Sequence, residues 1–304
     1  MARGNVSLMD MALRDIVRRA GEGFDGKLGI SVKHLGTGEA ASFNGDDMFP
    51  TASVFKVPVI VELYRRVEAG ILSLEDKIVL REGDKVPGSG ILKELSEGLE
   101  LSVRDLTELM MILSDNTATD LLTEMVGKEN VNATLMGLSL SETRVVADCR
   151  DILFDLVGLG GIPDEEKTLE LFDERSRTAP EGGSWSLGVE DNDVTTPNEM
   201  LRLFEMIVNG EAAGRESCDA ILETMGRCQT GQYRIAKYLP RDKIDFAHKT
   251  GSIPGIRNDV GVVTIWETGE KYIMSCFSMG ATDVYVAEEA IASASKEVFD
   301  YFTK

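Results

Sequence analysis

The sequence predicts an α+β protein in which an antiparallel sheet, assembled from both ends of the chain, is split by an inserted all-helical lobe. Three observations carry this expectation. Strand-like runs joined by short turns stand near each end, at 27–44 and 257–279. From Thr51 to about residue 139 the apolar spacing is helical. The chain closes on "VYVAEEAIASASKEVFDYF", a helix whose apolar stripe runs through Ala287, Ile291, Ala294, Val298 and Phe302.

The elements follow in order. "MARGNVSLMDMALRDIVRRAGEG" carries charges through its apolar positions and reads as an amphipathic helix, not as a signal peptide. "KLGISVKHL", the turn "GTGE" and "AASFN" form a hairpin. "LSVRDLTELMMIL" has Ser102 as its N-cap and an apolar face through Leu106, Leu109, Met110 and Leu113. "TATDLLTEMVG" ends on Gly127 as a C-cap. Residues 150–193, with "GLGG", "EGG" and many acids, read as a long excursion, a surface loop or small subdomain, containing one helical scrap, "DEEKTLELFDE". "TTPNEMLRLFEMIVNG" opens on Thr196 and Pro197 and stops at Gly210. "RNDVGVVTIW", "ETGE" and "KYIMSCFSM" form the second hairpin. The sheet lobe is therefore expected from 1–50 plus 195–304. The helical lobe is expected from 51–194, including the excursion at about 148–193.

Composition narrows the function classes. With 52 acids against 32 bases the chain carries a net charge of −20, which disfavours nucleic acid and anionic lipid as partners. No stretch has the roughly 20 apolar residues that a membrane span needs. Compartment and oligomeric state stay open. The four cysteines form no CxxC pair, and two histidines, His34 and His248, are too few for a histidine-rich metal site. Neither a metal nor a cofactor is expected.

The chemistry starts at "TASVFKVPVI" (51–60), where Ser53 and Lys56 stand three apart at the head of an apolar run. On a helix the two share one face, and unpaired N–H groups lie beside the hydroxyl. A lysine partly removed from water has a lowered pKa and can accept the serine proton. Alone this pair is weak, because many surface helices begin with Ser and carry Lys one turn later. "SDN" at 114–116 and "HKTG" at 248–251 strengthen it, since SxxK, SDN and KTG in this order are the signature of penicillin-recognising serine enzymes.

From about Lys27 onward the chain resembles the class A β-lactamase family. The resemblance rests on "PGSGIL" (87–92), "SDNTATDLL" (114–122), "TTPNEM" (195–200), "TGQYRIAKYLP" (230–240) and "KTGS" followed by "RND" (249–259), all in family order. It implies a five-stranded antiparallel sheet flanked by helices, an all-helical lobe, and a site between them that is acylated by a small-molecule β-lactam or related acyl donor. Ser53 would be the nucleophile and Lys56 its proton acceptor. Ser114 would relay a proton to the leaving nitrogen, tuned by Lys249. Asn116 would bond the substrate's side-chain amide and brace the lysine. The N–H groups of Ser53 and Ser252 would form the oxyanion hole, with Gly251 completing the KTG strand. Lys249, Thr250 and Arg257 would hold the substrate carboxylate. His248 would point to the opposite strand face from Lys249, and a structural role is expected for it and for His34.

The resemblance fails at one place. Class A enzymes free the acyl-serine with water activated by a glutamate, and the family spacing from the SDN serine lands on Arg150 in "VVADCRDILFDL". Aligning Asp148 with the family's loop aspartate puts Asp151 at the glutamate and Asp155 at the following asparagine. Aligning on "TR" (143–144) puts Cys149 there instead. Asp151 is the expected base, shorter by one methylene. Three readings share the acylation chemistry: a β-lactamase with a divergent loop, which is favoured; an acyl-serine hydrolase for D-amino peptides or esters; and a β-lactam-binding sensor or sequestering protein.

Overall fold

A computed structural model describes residues 8–178, 192–281 and 283–304. Helix α1 (Leu8–Glu22) leads into the hairpin of β1 (Lys27–His34) and β2 (Ala40–Phe43). A short strand β3 (Phe49–Pro50) and a 3-10 turn over Ala52–Phe55 precede α2 (Lys56–Glu68). The helical region continues through α3 (Val103–Ile112), α4 (Asn116–Val126) and α5 (Lys128–Gly137). It also contains a two-stranded ladder, β4 (Lys77–Val79) with β5 (Glu100–Ser102), that helical periodicity did not anticipate. Then come α6 (Cys149–Leu156), α7 (Leu169–Ser176), β6 (Val194–Thr195), α8 (Pro197–Asn209) and α9 (Arg215–Met225). Strands β7 (Ile244–Ile253), β8 (Ile256–Ile265) and β9 (Lys271–Met279) and helix α10 (Val284–Phe302) close the chain.

The main sheet has five antiparallel strands in the order β2-β1-β9-β8-β7. Both faces are covered, so β1, β8 and β9 are buried along nearly their whole length. On one face Leu28, Ile30, Val32 and Met274 pack with Leu13 and Val17 of α1 and with Ile291 and Val298 of α10. On the other, Val260, Ile273 and Phe277 join Met200 and Phe204 of α8 in a larger core that continues into α2, α3 and α4. Helices α8 and α9 thus share their core with the inserted helices as well as with the sheet.

Local caps explain several boundaries. Ser102 accepts the Asp105 N–H at 3.0 Å while Asp105 accepts the Ser102 N–H at 3.0 Å, a reciprocal capping box. Thr196 caps α8 with Pro197 in its first turn, and Gly210 ends it in the left-handed conformation at φ 75°. Helix α2 differs from the others, because every residue from Lys56 to Tyr64 is buried. Such a helix belongs to the interior.

Within residues 149–178 two helices stand in place of a plain loop. Asp148 caps α6 by accepting the Asp151 N–H at 2.9 Å, and α6 buries Cys149, Ile152 and Phe154. Phe154 meets Phe172 of α7 at 5.7 Å between ring centroids. The apolar residues recur at helical spacing, but the surrounding acids and glycines mask the pattern. The "EGG" stretch at 181–183 lies outside the described residues.

Asp193 ties this segment to the head of α2. Its Oδ1 accepts the N–H groups of Val146 and Ala147 at 2.7 and 3.0 Å, and its carbonyl accepts the Thr51 N–H at 2.8 Å. Its Oδ2 is buried without a hydrogen-bond partner among the described residues. Burial drives the Asp193 pKa up to about 7, against the two N–H donors that pull it down. A carboxyl raised in the folded state favours folding below its unfolded pKa of about 4, and that contribution is lost as pH climbs through 7. Asp193→Asn keeps an acceptor for both N–H groups and should shrink the drop in melting temperature between pH 5 and pH 8. An unchanged drop would show that Asp193 does not titrate across this window.

Candidate active site

The nucleophile candidate sits where a strained turn meets a buried helix. Ala52 adopts φ 44°, a left-handed conformation that costs a non-glycine residue on the order of 1 kcal/mol. Ser53 follows, half-buried at the wall of a cleft of about 210 Å3. The turn is held from the sheet side by Asn258, whose Nδ2 donates to the carbonyls of Pro50 and Thr51 at 2.9 and 3.0 Å. Gly251 on β7 passes so close that a Cβ there would stand 2.4 Å from the Thr51 carbonyl oxygen. Only glycine permits this approach.

Lys56 is fully buried at the start of α2. Its ammonium donates to Ser114 O at 2.8 Å, Ser114 Oγ at 3.1 Å and Asn116 Oδ1 at 2.9 Å. Burial lowers its pKa. Lys249, also fully buried, reaches Ser114 Oγ at 3.0 Å and Thr250 O at 2.8 Å. Its pKa falls to about 7, chiefly through burial and then through the charge of Lys56. The Ser114 hydroxyl therefore lies between two amines. Its two lone pairs meet the lysines, which leaves its proton free to donate.

The SDN loop is braced on all sides. Ser114 itself adopts φ 56°. Asp115 caps α4 through the Ala118 N–H at 3.0 Å and accepts the N–H groups of Ile91 and Leu92 at 2.7 and 2.9 Å. Asn116 gives one amide N–H to Pro87 O at 2.9 Å while its Oδ1 accepts from Lys56. Ser89, a cleft residue to which sequence reasoning gave no role, donates to Ser114 O at 2.8 Å. "PGSGIL" is the signal that marks it.

On the sheet side Thr250 and Ser252 line the cleft. Thr250 Oγ1 lies 2.6 Å from Thr230 Oγ1, a second cleft residue outside the expected set. Arg257 is not where the sequence reading put it. Its guanidinium folds onto its own turn, donating to Ile253 O at 2.9 Å and Ile256 O at 2.7 Å, and it does not line the cleft. The tight turn between β7 and β8 supplies those carbonyls. The cation behind the KTG strand is Arg234, buried and donating to Gly251 O at 3.1 Å, Asn258 O at 2.7 Å and the Ser252 hydroxyl. It belongs to the "TGQYRIAKYLP" landmark.

Asp151 is likewise displaced. It faces away from the cleft and accepts from Lys167 at 2.7 Å, with Lys128 at 3.8 Å. A helix starting at Cys149 turns the half-buried residue 151 away from the cleft, and Asp155 is exposed. Cys149 lines the cleft, in contact with Lys56 and Asp120, as the alignment on Thr143 and Arg144 implied. Burial pushes its thiol well above the ordinary value, so it stays protonated. Asp120 accepts the N–H groups of Cys149 and Arg150 at 2.8 and 2.9 Å, and burial with the charge of Asp148 brings its pKa to about 7. His34 accepts the Thr37 N–H at 3.1 Å, closing the first hairpin turn. His248 points to the face of β7 opposite Lys249 and pairs with Asp259. No cluster of three metal-ligating side chains occurs among the described residues.

The model of the β-lactamase enzyme family matches residues 11–302. The chain belongs to that family. The β-lactamase VEB-1 of Pseudomonas aeruginosa is 24% identical over 288 residues, covering 91% of this chain and 85% of its own length. A β-lactamase of Sphaerobacter thermophilus has the same fold with a TM-score of 0.77 and 30% identity, covering 96% of this chain and 97% of that one. PBP-A shares the fold at 21% identity, with a TM-score of 0.78 and 96% of each chain covered.

The two cations differ in their expected effects on this β-lactamase. Arg257→Ala should leave KM for an anionic β-lactam within about twofold, since that side chain is spent on its own turn. Lys249→Ala should raise KM and lower kcat together, because it removes both a cleft cation and a partner of Ser114. Steady-state kinetics with a carboxylate substrate and its ester decide between them. Equal damage from both variants would return Arg257 to the cleft.

Proposed function

We propose that this serine β-lactamase opens β-lactam rings through an acyl-Ser53 intermediate in which Lys56 is the base of both half-reactions. The observation that carries the reading is the Ser114 hydroxyl held at 3.1 and 3.0 Å by two buried lysines beside Ser53. Lys56, as the free amine, takes the Ser53 proton directly or through water, and Oγ attacks the lactam carbonyl. Charge on the carbonyl oxygen is met by the N–H groups of Ser53 and Ser252. The C–N bond breaks, the nitrogen takes the Ser114 proton, and Lys56 passes the proton it took from Ser53 to Ser114, which restores the free amine. Lys249, Thr250 and Arg234 hold or support the carboxylate end of the substrate, and Asn116 takes its side-chain amide.

Deacylation needs a base close to the ester. Among the described residues the ionisable groups at the cleft are Lys56, Lys249 and Cys149. The thiol keeps its proton, and the Asp120 oxygens are occupied by two backbone donors. A carboxylate at position 149 would hold Lys56 in its charged form, whereas a neutral thiol leaves the buried amine easier to deprotonate. Water gives one proton to Lys56 and attacks the acyl carbon; as the intermediate collapses the bond to Ser53 Oγ breaks and Lys56 returns the proton to that oxygen, which releases the opened product.

Intact-protein mass spectrometry after mixing with benzylpenicillin should show an adduct that forms and then decays. Ser53→Ala should form none while its melting temperature stays close to that of the parent. A persistent adduct would make the protein an acylating binder, and an adduct on the variant would remove Ser53 from the mechanism.

Single-turnover rates test the second base. Deacylation should rise with pH as the Lys56–Lys249 pair gives up its first proton, and Asp151→Asn should leave that profile unchanged. A profile flat above about pH 5 would indicate a carboxylate base instead. Trapping of the acyl-enzyme by Asp151→Asn would identify that carboxylate as Asp151.

A further inference from the structure

A second constellation of reactive side chains lies on the far face of β7, away from Ser53. Just beyond the end of α9, Cys228 Sγ sits 3.2 Å from the Thr230 hydroxyl and shares one cavity wall with the His248 imidazole. His248 Nδ1 lies 2.8 Å from Asp259 Oδ1 on the neighbouring strand, which leaves Nε2 for the sulfur. The imidazole stacks on Phe246 with 4.1 Å between ring centroids, so its plane is fixed. Asp259 is completely buried and also accepts the Ile235 N–H at 3.2 Å. Sulfur, imidazole and carboxylate thus stand in the nucleophile, base and orienting positions of a catalytic triad.

The site is open to small molecules. A cavity of about 210 Å3 is lined by Cys228 and His248 with Gly226, Gln232, Phe246 and Arg241. All four cysteines are free thiols, and three of them, Cys149, Cys218 and Cys276, are buried. Cys228 alone is half-buried. None of this is needed for acylation of Ser53, and no cavity-facing group here touches the lysine pair except through Thr230 and the backbone of β7.

We propose that Cys228, His248 and Asp259 form an activated-thiolate site that is oxidised by small hydroperoxides. The thiolate attacks the terminal oxygen of the hydroperoxide and the O–O bond breaks. Sulfur loses two electrons to become the sulfenic acid. The departing alkoxide or hydroxide takes the proton of the His248 imidazolium and leaves as an alcohol or water. The buried Asp259 carboxylate steadies the imidazolium before that transfer.

The surrounding charges favour the ion pair. His248 faces the sulfur from β7, the charges of Lys249 on the opposite face of that strand, of Arg234 and of Asp259 on β8 act from further off, and Arg241 and Asp245 stand at the rim. Burial alone would raise the thiol, but the neighbouring His248 imidazolium and the charge of Lys249 bring it down to about 6. Burial lowers His248 while Asp259 and Cys228 raise it, to about 9 overall. Thiolate and imidazolium therefore coexist at neutral pH.

Two measurements on the whole protein test this without using β-lactam turnover, so they stand apart from the Ser53 reading. The first treats the protein with limiting hydrogen peroxide at pH 7, traps sulfenic acid with a cyclic 1,3-diketone and maps the labelled peptides. Cys228 should be labelled at least about tenfold faster than any other cysteine, as its thiolate character and access require. The second follows the pH dependence of iodoacetamide alkylation at Cys228, which should inflect near 6. His248→Gln should slow both reactions about tenfold at pH 7 and move the inflection towards the ordinary thiol value of about 8.5. Labelling of Cys228 no faster than of the buried thiols, or a parent inflection near 8.5, would overturn the proposal even if the variant failed to fold.

Discussion

A lysine enclosed in an apolar core must be solvated by the protein itself, and Lys56 sets that demand here. Helix α2 is buried on every side over its first turns, so it delivers the ammonium to a place water does not reach. The oxygens that replace water come from Ser114 and Asn116. Those must be held by something else, which is why Asp115, Ser89 and Pro87 are bonded around them. The strained backbone at Ala52 and Ser114 is tolerated because these contacts and the Asn258 clamp over-determine it. Removing one of those oxygens around Lys56 would leave a buried charge short of a partner, at a cost of about 1.5–3 kcal/mol.

The same constraint shapes the electrostatics. The chain carries a net charge of −20, yet Lys56, Lys249 and Arg234 are buried around one cleft, a cationic well in an acidic surface. Low dielectric strengthens the pull of each charge on an anionic ligand. Arg234 is held in place by Glu288 at 3.3 Å and by backbone carbonyls, so its charge is partly neutralised and its fork supports the strand. Lys249 has no carboxylate within ion-pair distance among the described residues, and it is the cation with charge to spare.

Residues whose types are set by a cap, a turn or a proton transfer were legible in the sequence. Ser102, Thr196, Pro197 and Gly210 mark helix ends by local chemistry, and the structure places each end there. Ser53, Lys56, Ser114, Asn116 and Lys249 were singled out because spacing and order constrain them, and the structure brings them to one cleft. Arg257 and Asp151 were misplaced for a common reason. Each was selected by charge and alignment, but the direction of a side chain depends on the turn or helix beneath it. Asp151 points away from the cleft because α6 begins two residues earlier, and Arg257 curls back because its short turn presents carbonyls. Cys149 was reached only through the second alignment, on Thr143 and Arg144, because a thiol does not resemble the carboxylate expected at that position. Cys228 and His248 lie 20 positions apart, so only the packing of β7 brings them together.

Two amines that share the Ser114 hydroxyl cannot titrate as strangers. The charge on Lys56 is one cause of the lowered affinity of Lys249 for its proton, so neutralising one tightens the other's hold. Protons then leave the cleft in two separated steps that belong to the pair, and an inflection in any rate profile cannot be credited to either lysine alone. Between those steps the pair carries one positive charge and one free amine. A singly protonated diamine of this kind offers an anion a counter-charge and a hydroxyl proton an acceptor at the same moment. Exchange of the remaining proton through Ser114 decides which nitrogen plays which part. The cleft thereby holds a divided acid and base over the pH range in which no single amine of either kind could serve as both.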